Sequence, residues 1–369
     1  MTAAIKFFLG ANTPTGFVGF TDELYKKDGT WQAYLIKSGP GTGKSSLMRR
    51  ITEDLQPFGL EEEQIYCSSD PSSLDGVIYP QLKLCILDAT SPHVIEPTCW
   101  GAVEQPVPLS LCMDEQRLHA QAEEIVAVTQ QNRELHARCR KYIHAASALL
   151  NENRRIGEAA LNHEKIRRLA ARIAAREFGT GEGGGALTHR FLSAVTPEGF
   201  VTFHETLQAL CPRIYSIEDD QGAASRAFLA ELARAAQEAG VDGIACPCPL
   251  FPHDGPEHLL FPSVGVGFTT SNSFHKADFP VYYRIHSTRF TEADNTKRQR
   301  QSFNRRAARE LLEQARLLAA EAKTVHDAME AYSSALPDSR SLSFSSFRFR
   351  CRRRMPEKKN VLTRPIHTL

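Results

Sequence analysis

Residues Ser38-Gly39-Pro40-Gly41-Thr42-Gly43-Lys44-Ser45-Ser46 carry the most specific chemistry in the chain. Glycines at 39, 41 and 43 let backbone N–H groups turn inward around an anion with no Cβ in the way. Gly39, Pro40, Gly41, Thr42, Gly43, Lys44, Ser45 and Ser46 form the candidate cradle for the phosphates of a nucleotide. Lys44 supplies a point charge for the β- and γ-phosphates, and the Ser45 hydroxyl is a candidate ligand for Mg²⁺. The signature asks for glycine at its first position, where this chain has Ser38.

A second acid fits the same chemistry. The apolar run Leu82-Lys83-Leu84-Cys85-Ile86-Leu87 closes on Asp88, the pattern of a buried parallel strand. Beside a phosphate loop, such an aspartate holds Mg²⁺ directly or through water. ATP hydrolases commonly follow it with a glutamate that orients the attacking water; here Ala89 stands there. His93, Glu96, Asp70 and Asp75 are the nearest substitutes. Asp70 ranks first, because it lies just past a strand end, where ligand sites of open α/β sheets form. The candidate catalytic residues are therefore Lys44, Asp88 and Asp70, and the candidate metal ligands Ser45 and Asp88.

The elements that must position these groups follow from periodicity. Trp31–Ile36 reads as a strand, and Leu47–Leu55 as an amphipathic helix ended by Pro57-Phe58-Gly59. The helix N-terminus adds unpaired donors and a positive dipole end. Ile5–Leu9 and Gln64–Cys67 read as short strands, Gly10–Phe20 as a turn leading into a helix start, and Ser68–Gly76 as a polar loop. From Met113 to Phe178, Ile125, Val128, Leu135, Tyr142, Leu149 and Ile156 recur at helical spacings. Asn132, Cys139, Ala146 and Asn153 fill the other heptad position. This predicts a helical hairpin or coiled-coil arm with a polar seam. Gly179–Gly185 reads as a flexible linker.

After the linker the first half returns. Phe8–Val18 matches Phe191–Val201, Tyr34–Ile36 matches Tyr215–Ile217, and Pro80–His93 matches Pro262–His275 at an offset of 182. A repeat of that length means two copies of one domain. The second copy has lost the chemistry: aligned without a gap, Ser38–Ser45 falls on Asp219–Arg226, the lysine position on Ser225 and the Asp88 position on Thr270. Two carboxylates, Asp219 and Asp220, would repel a phosphate there. His93 and His275 persist in both copies, which favours a structural role or an interface over catalysis. Leu311, Ala315, Leu318, Ala322, Val325, Met329, Tyr332 and Leu336 then form the apolar stripe of a second arm, expected to pack on the first arm or on the domain.

The predicted organisation is α/β: two tandem P-loop NTPase-type parallel-sheet domains, each followed by a long helical arm. The boundaries are 1–112 for the nucleotide domain, 113–178 for the arm and 179–187 for the linker. Residues 188–291 form the degenerate copy, 292–337 the second arm and 338–369 a basic tail read as disordered. The tail, from Arg340, carries about +8; with +1 overall, about −7 remains on residues 1–339. Nucleic-acid contact is thus expected only through the tail. No apolar run is long enough to span a bilayer, the first residues are too soon polar for a secretion signal, and nine scattered cysteines suit a reducing cytoplasm. Cys246-Pro247-Cys248, with no second cysteine pair, is a weak zinc signal.

The chain resembles a family of uncharacterised bacterial tandem P-loop proteins described as ATPases or nucleotide-kinase-like. Ala11–Val18, Gly39–Ser46, Cys67–Gly76 and Thr196–Val201 carry the resemblance, which covers roughly residues 5–337. It implies a P-loop fold in each half and ATP binding, and names no substrate. Three functions remain open: an ATPase with Mg²⁺ and ATP in the first half, a nucleotide or small-molecule kinase, and a non-hydrolysing switch.

Overall fold

A computed structural model describes residues 5–181, 183–291 and 296–333. Met1–Ala4, Glu182, residues 292–295, Leu336 and the basic tail lie outside them. The protein is α/β, with two six-stranded mixed sheets and helices.

The first half runs β1 (Ile5–Phe8), β2 (Gly10–Thr13), β3 (Gly16–Gly19), β4 (Gln32–Lys37), α1 (Lys44–Leu55), β5 (Glu63–Tyr66), β6 (Leu74–Tyr79), β7 (Leu84–Asp88) and β8 (Glu104–Pro108). Helices α2 (Glu115–Ala120), α3 (Ala122–Glu158) and α4 (His163–Glu177) follow. The second half runs β9 (Leu187–His189), β10 (Ser193–Thr196), β11 (Gly199–Thr202), α5 (His204–Leu210), β12 (Arg213–Glu218), α6 (Ala223–Glu238), β13 (Gly243–Cys248), β14 (Phe251–Phe261), β15 (Val266–Ser271) and β16 (Tyr283–His286). Helix α7 (Arg298–Ser333) closes the described chain.

The two sheets have one topology. The first is ordered β1-β5-β6-β7-β4-β8 and the second β9-β13-β14-β15-β12-β16, element for element. In both, one strand (β6 or β14) runs antiparallel to its neighbours while the rest pair in parallel. β4 lies between β7 and β8, and its Ala33, Tyr34, Leu35 and Ile36 are all buried, as a strand covered on both faces requires.

Three local expectations need correction. Gly10–Phe20 is a hairpin, β2–β3, rather than a helix start. Gly16 at φ +135° turns it, and Gly10 lets the Phe17 ring approach where a Cβ would sit 2.4 Å from it. The Ser68–Gly76 loop ends early, because Leu74–Gly76 already belongs to β6, so the sheets are mixed rather than wholly parallel. Asp75-Gly76 reads as a turn in sequence; in the fold Gly76 admits the Leu87 side chain, and Asp75 is buried beside His93. The stretch Gly179–Gly185 is no free tether in its described part: Gly181 and Gly185 lie against the backbone of Ala239 and Val241.

The halves share a core. Phe8 stacks on Phe203 at 4.4 Å, the Phe8 N–H donates to Phe191 O, and Thr206 Oγ1 exchanges two hydrogen bonds with the backbone of Lys6. The arms bind them further. The expected hairpin within the first arm does not form: α4 packs on α6, while α3 pairs with α7 along their lengths. Contacts run Asn132 to Ala322, Cys139 to Ala315 and Asn153 to Gln301, so the pair is antiparallel. Leu135, Ile143, Ala146 and Leu150 interleave with Ala308, Leu312, Ala315 and Ala319. Among the described residues no helix is long and apolar enough to cross a membrane.

The seam's polar layer should matter to stability. Asn153 donates to Gln301 O at 3.0 Å and accepts from Asn304 Nδ2 at 2.9 Å, all buried. Asn153→Ala strands both partners and is expected to cost about 1–3 kcal/mol in urea unfolding; an unchanged midpoint would refute this account of the seam.

Candidate functional site

The glycine loop Ser38–Gly43 joins β4 to α1. Gly41 (φ +73°) and Gly43 (φ +83°) are left-handed, and Gly43 is the N-cap of α1, so Lys44 and Ser45 open the helix. β7 lies directly beside β4, with Asp88 opposite Ile36, and the Ala89 N–H donates to Ile36 O. That adjacency brings Asp88 to the loop. Lys44 Nζ donates to Gly39 O at 2.8 Å and stands 3.5 Å from Asp88 Oδ2; both side chains are largely buried. Asp88 Oδ1 accepts from the Thr90 N–H, which fixes the carboxylate. Ser45 Oγ accepts from the Leu74 N–H at 3.0 Å, tying α1 to the start of β6. Thr42 Oγ1 donates to Gly39 O inside the loop, and Pro40 and Ser46 flank these contacts.

Asp70 sits apart from this centre. Its Oδ1 closes a turn by accepting from Ser72 N and Oγ, and its Oδ2 pairs with Lys323 of α7 at 3.4 Å. Glu96 pairs with Lys37. The pair beside Lys44 and Asp88 is instead Asp75 with His93, Nε2 to Oδ2 3.2 Å, both buried. Burial works against a proton on His93, but the Asp75 carboxylate outweighs it and raises the imidazole above its ordinary value, with Asp88 adding to the effect and Lys44 opposing it.

The second half places its counterpart loop differently from the ungapped alignment. Gly222 (φ +74°) is the N-cap of α6, the place of Gly43. The loop is Asp219–Gly222, two residues shorter, and Lys44 therefore corresponds to Ala223, not Ser225. Asp219 turns inward: Oδ1 accepts from Gln221 N at 3.0 Å and Oδ2 from Ser225 N at 2.9 Å. Its own carboxylate consumes helix-terminal donors that an anion would need. Asp220 Oδ1 accepts from Ser273 N. Thr270 takes the Asp88 position, paired with Ile217 as Asp88 is with Ile36.

Each arm covers the other half's loop. The backbone of Glu330 in α7 leans on Gly41, where a Cβ would lie 2.4 Å from Glu330 O. Gly157 and Arg154 of α3 lie against Gln221 and Gly222. Nothing in the sequence pattern announces that Lys323 and Glu330 reach the first-half loop from nearly three hundred residues away. Cys246 and Cys248 do not act as a pair: a bulge separates them, Cys246 entering the shared core and Cys248 lying beside Glu257.

No family model matches the chain, and neither a curated protein nor a solved structure matches it.

The His93–Asp75 pair has a pH signature. Because the folded-state value is raised, the pair's stabilisation is fully present below the ordinary pKa of 6.5 and is lost as pH rises through the folded value. The stability gap between wild type and Asp75→Asn, followed by urea unfolding across a pH series, should narrow on the alkaline side. A gap independent of pH would overturn the assignment.

Proposed function

We propose that the first half binds ATP with Mg²⁺ at Ser38–Ser46 and cleaves the bond to its γ-phosphate, while the second half takes no nucleotide. One observation carries the reading: adjacent strands β4 and β7 bring Lys44, Ser45 and Asp88 together at a loop with left-handed glycines at 41 and 43. The Ser45 hydroxyl and the Asp88 carboxylate are hard oxygen donors, the set that suits Mg²⁺. The ion, when bound, neutralises charge on the β- and γ-phosphates.

Lys44 exchanges the Gly39 carbonyl for phosphate oxygens and stabilises the charge that develops on them. The Gly41 and Gly43 backbone and the α1 N-terminus orient the phosphate chain. In this reading the Asp75 carboxylate, paired with His93, receives the nucleophile's proton, since Asp70 is committed to Ser72 and Lys323. Asp219 supports silence of the second half by occupying its own helix terminus.

A second reading follows from Ala89. No carboxylate succeeds Asp88 to orient water, so the γ-phosphate can pass instead to an acceptor held near the Ser68–Ser73 loop.

Lys44→Ala should weaken ATP binding at least about tenfold and bring turnover to background, and calorimetry of wild type should give one nucleotide per chain. Wild-type turnover in the variant, or two sites per chain, would sink the proposal. Incubation with γ-labelled ATP separates the readings by whether label leaves as inorganic phosphate or on an acceptor.

A further inference from the structure

The second half holds a side-chain cluster that nucleotide chemistry leaves unused. Glu257 and His258 come from β14, His275 from the loop after β15, and His204 opens α5. His275 Nε2 lies 3.0 Å from Glu257 Oε1, and His258 Nε2 lies 3.7 Å from Glu257 Oε2. One donor atom from each of the three residues falls within 4.8 Å of the others.

Thr269 Oγ1, which donates to Thr270 O, lies 2.7 Å from His258 Nδ1, so Nε2 is the ring nitrogen left facing Glu257. Asn272 Oδ1 accepts from the N–H groups of Phe274 and His275, so its amide nitrogen is turned to His275 Nε2 at 3.1 Å, a contact that an ion on Nε2 would replace. The Nε2 atoms of two imidazoles thus converge on one largely buried carboxylate. Glu257 Oε2 has no hydrogen-bond partner, and Ser193 Oγ, 3.4 Å from His258 Nε2, is shared with Thr202. A cation between these atoms would be held by all three residues. Tetrahedral coordination at Zn–N and Zn–O lengths puts donors about 3.4 Å apart, close to the 3.0 and 3.7 Å found.

Glu257, His275 and Cys248 line a cleft open to solvent, which gives an ion a way in.

The duplication supplies an independent comparison. Cys67, Asp75 and His93 occupy in the first half the places of Cys248, Glu257 and His275, and their donor atoms also converge within 4.8 Å. The acid–histidine pair therefore survives in the half that lost Lys44 and Asp88. Where the first half has Gly76, the second has His258, a third ligand added to the pair.

We propose that Glu257, His258 and His275 bind one divalent transition-metal ion of the zinc class in the second half. Two imidazoles and one carboxylate select Zn²⁺, Co²⁺ or Fe²⁺ over Mg²⁺. Thr269 orients the His258 imidazole as an outer partner through Nδ1.

Full-length protein stripped with chelator and titrated with Co²⁺ tests this, read by visible absorption and by metal content after dialysis. Wild type should retain one ion through this site. Glu257→Gln and His275→Asn, each shown folded by circular dichroism, should weaken it about 10–100-fold, whereas His93→Asn, which alters only the first-half triad, should leave that band in place. Two routes overturn the proposal: wild type that takes up no Co²⁺ or Zn²⁺ at micromolar concentration, or folded Glu257 and His275 variants that bind as wild type does. Should His275→Asn fail to fold, the isosteric Glu257→Gln decides alone.

Discussion

The antiparallel contact between α3 and α7 is the constraint on which the arrangement rests. It joins an arm of the first half to an arm of the second through a largely small-residue seam, Ala146 and Ala308 among them, in which Asn132, Cys139 and Asn153 bond to the opposite backbone. Small residues let the helix axes approach, and the polar contacts fix which turn meets which. Because the helices run in opposite directions, the C-terminal end of each arrives at the glycine turn of the other half. The shared core around Phe8, Phe191 and Phe203 joins the two halves as well.

Duplication preserved the scaffold and released the side chains. Both sheets keep one strand order, one antiparallel member and one left-handed glycine before the helix. On that common frame, Lys44 became Ala223, Asp88 became Thr270 and Gly76 became His258. The backbone geometry that suits an anion is still present at Gly222, but Asp219 satisfies its donors from within the chain. A carboxylate supplied internally stabilises the turn without a ligand, which explains how the shortened loop keeps its form.

Much of the first-half centre was legible in sequence because it is local. The strand, glycine loop and helix between Trp31 and Leu55 follow from periodicity, and Asp88 follows from an apolar run ending in an acid. The repeat was legible wherever both copies kept side chains, as at Pro80–His93 and Pro262–His275. What escaped depends on tertiary context. β6 hides behind Asp75-Gly76, a dipeptide with turn chemistry that is here buried because His93 accepts the acid's charge and Leu87 fills the glycine's space. The two-residue deletion before Gly222 shifted the ungapped alignment and put the lysine position on Ser225. Cys67 and Cys248, at an offset of 181, were visible as a repeat only once β5 and β13 had been matched.

The contact of Glu330 with Gly41 has a mechanical consequence. Helix α7 spans 36 residues, so it is a rod of roughly 54 Å. Its last turns rest on one glycine turn, and its opposite end meets Asn153 and Glu152, a few residues from the part of α3 that leans on Gly222. A tilt of about 2° at one end of such a lever displaces the other by about 2 Å, enough to exchange one hydrogen-bond partner for another. The two turns are thereby joined by one continuous helix pair, with no strand of either sheet in the path between them.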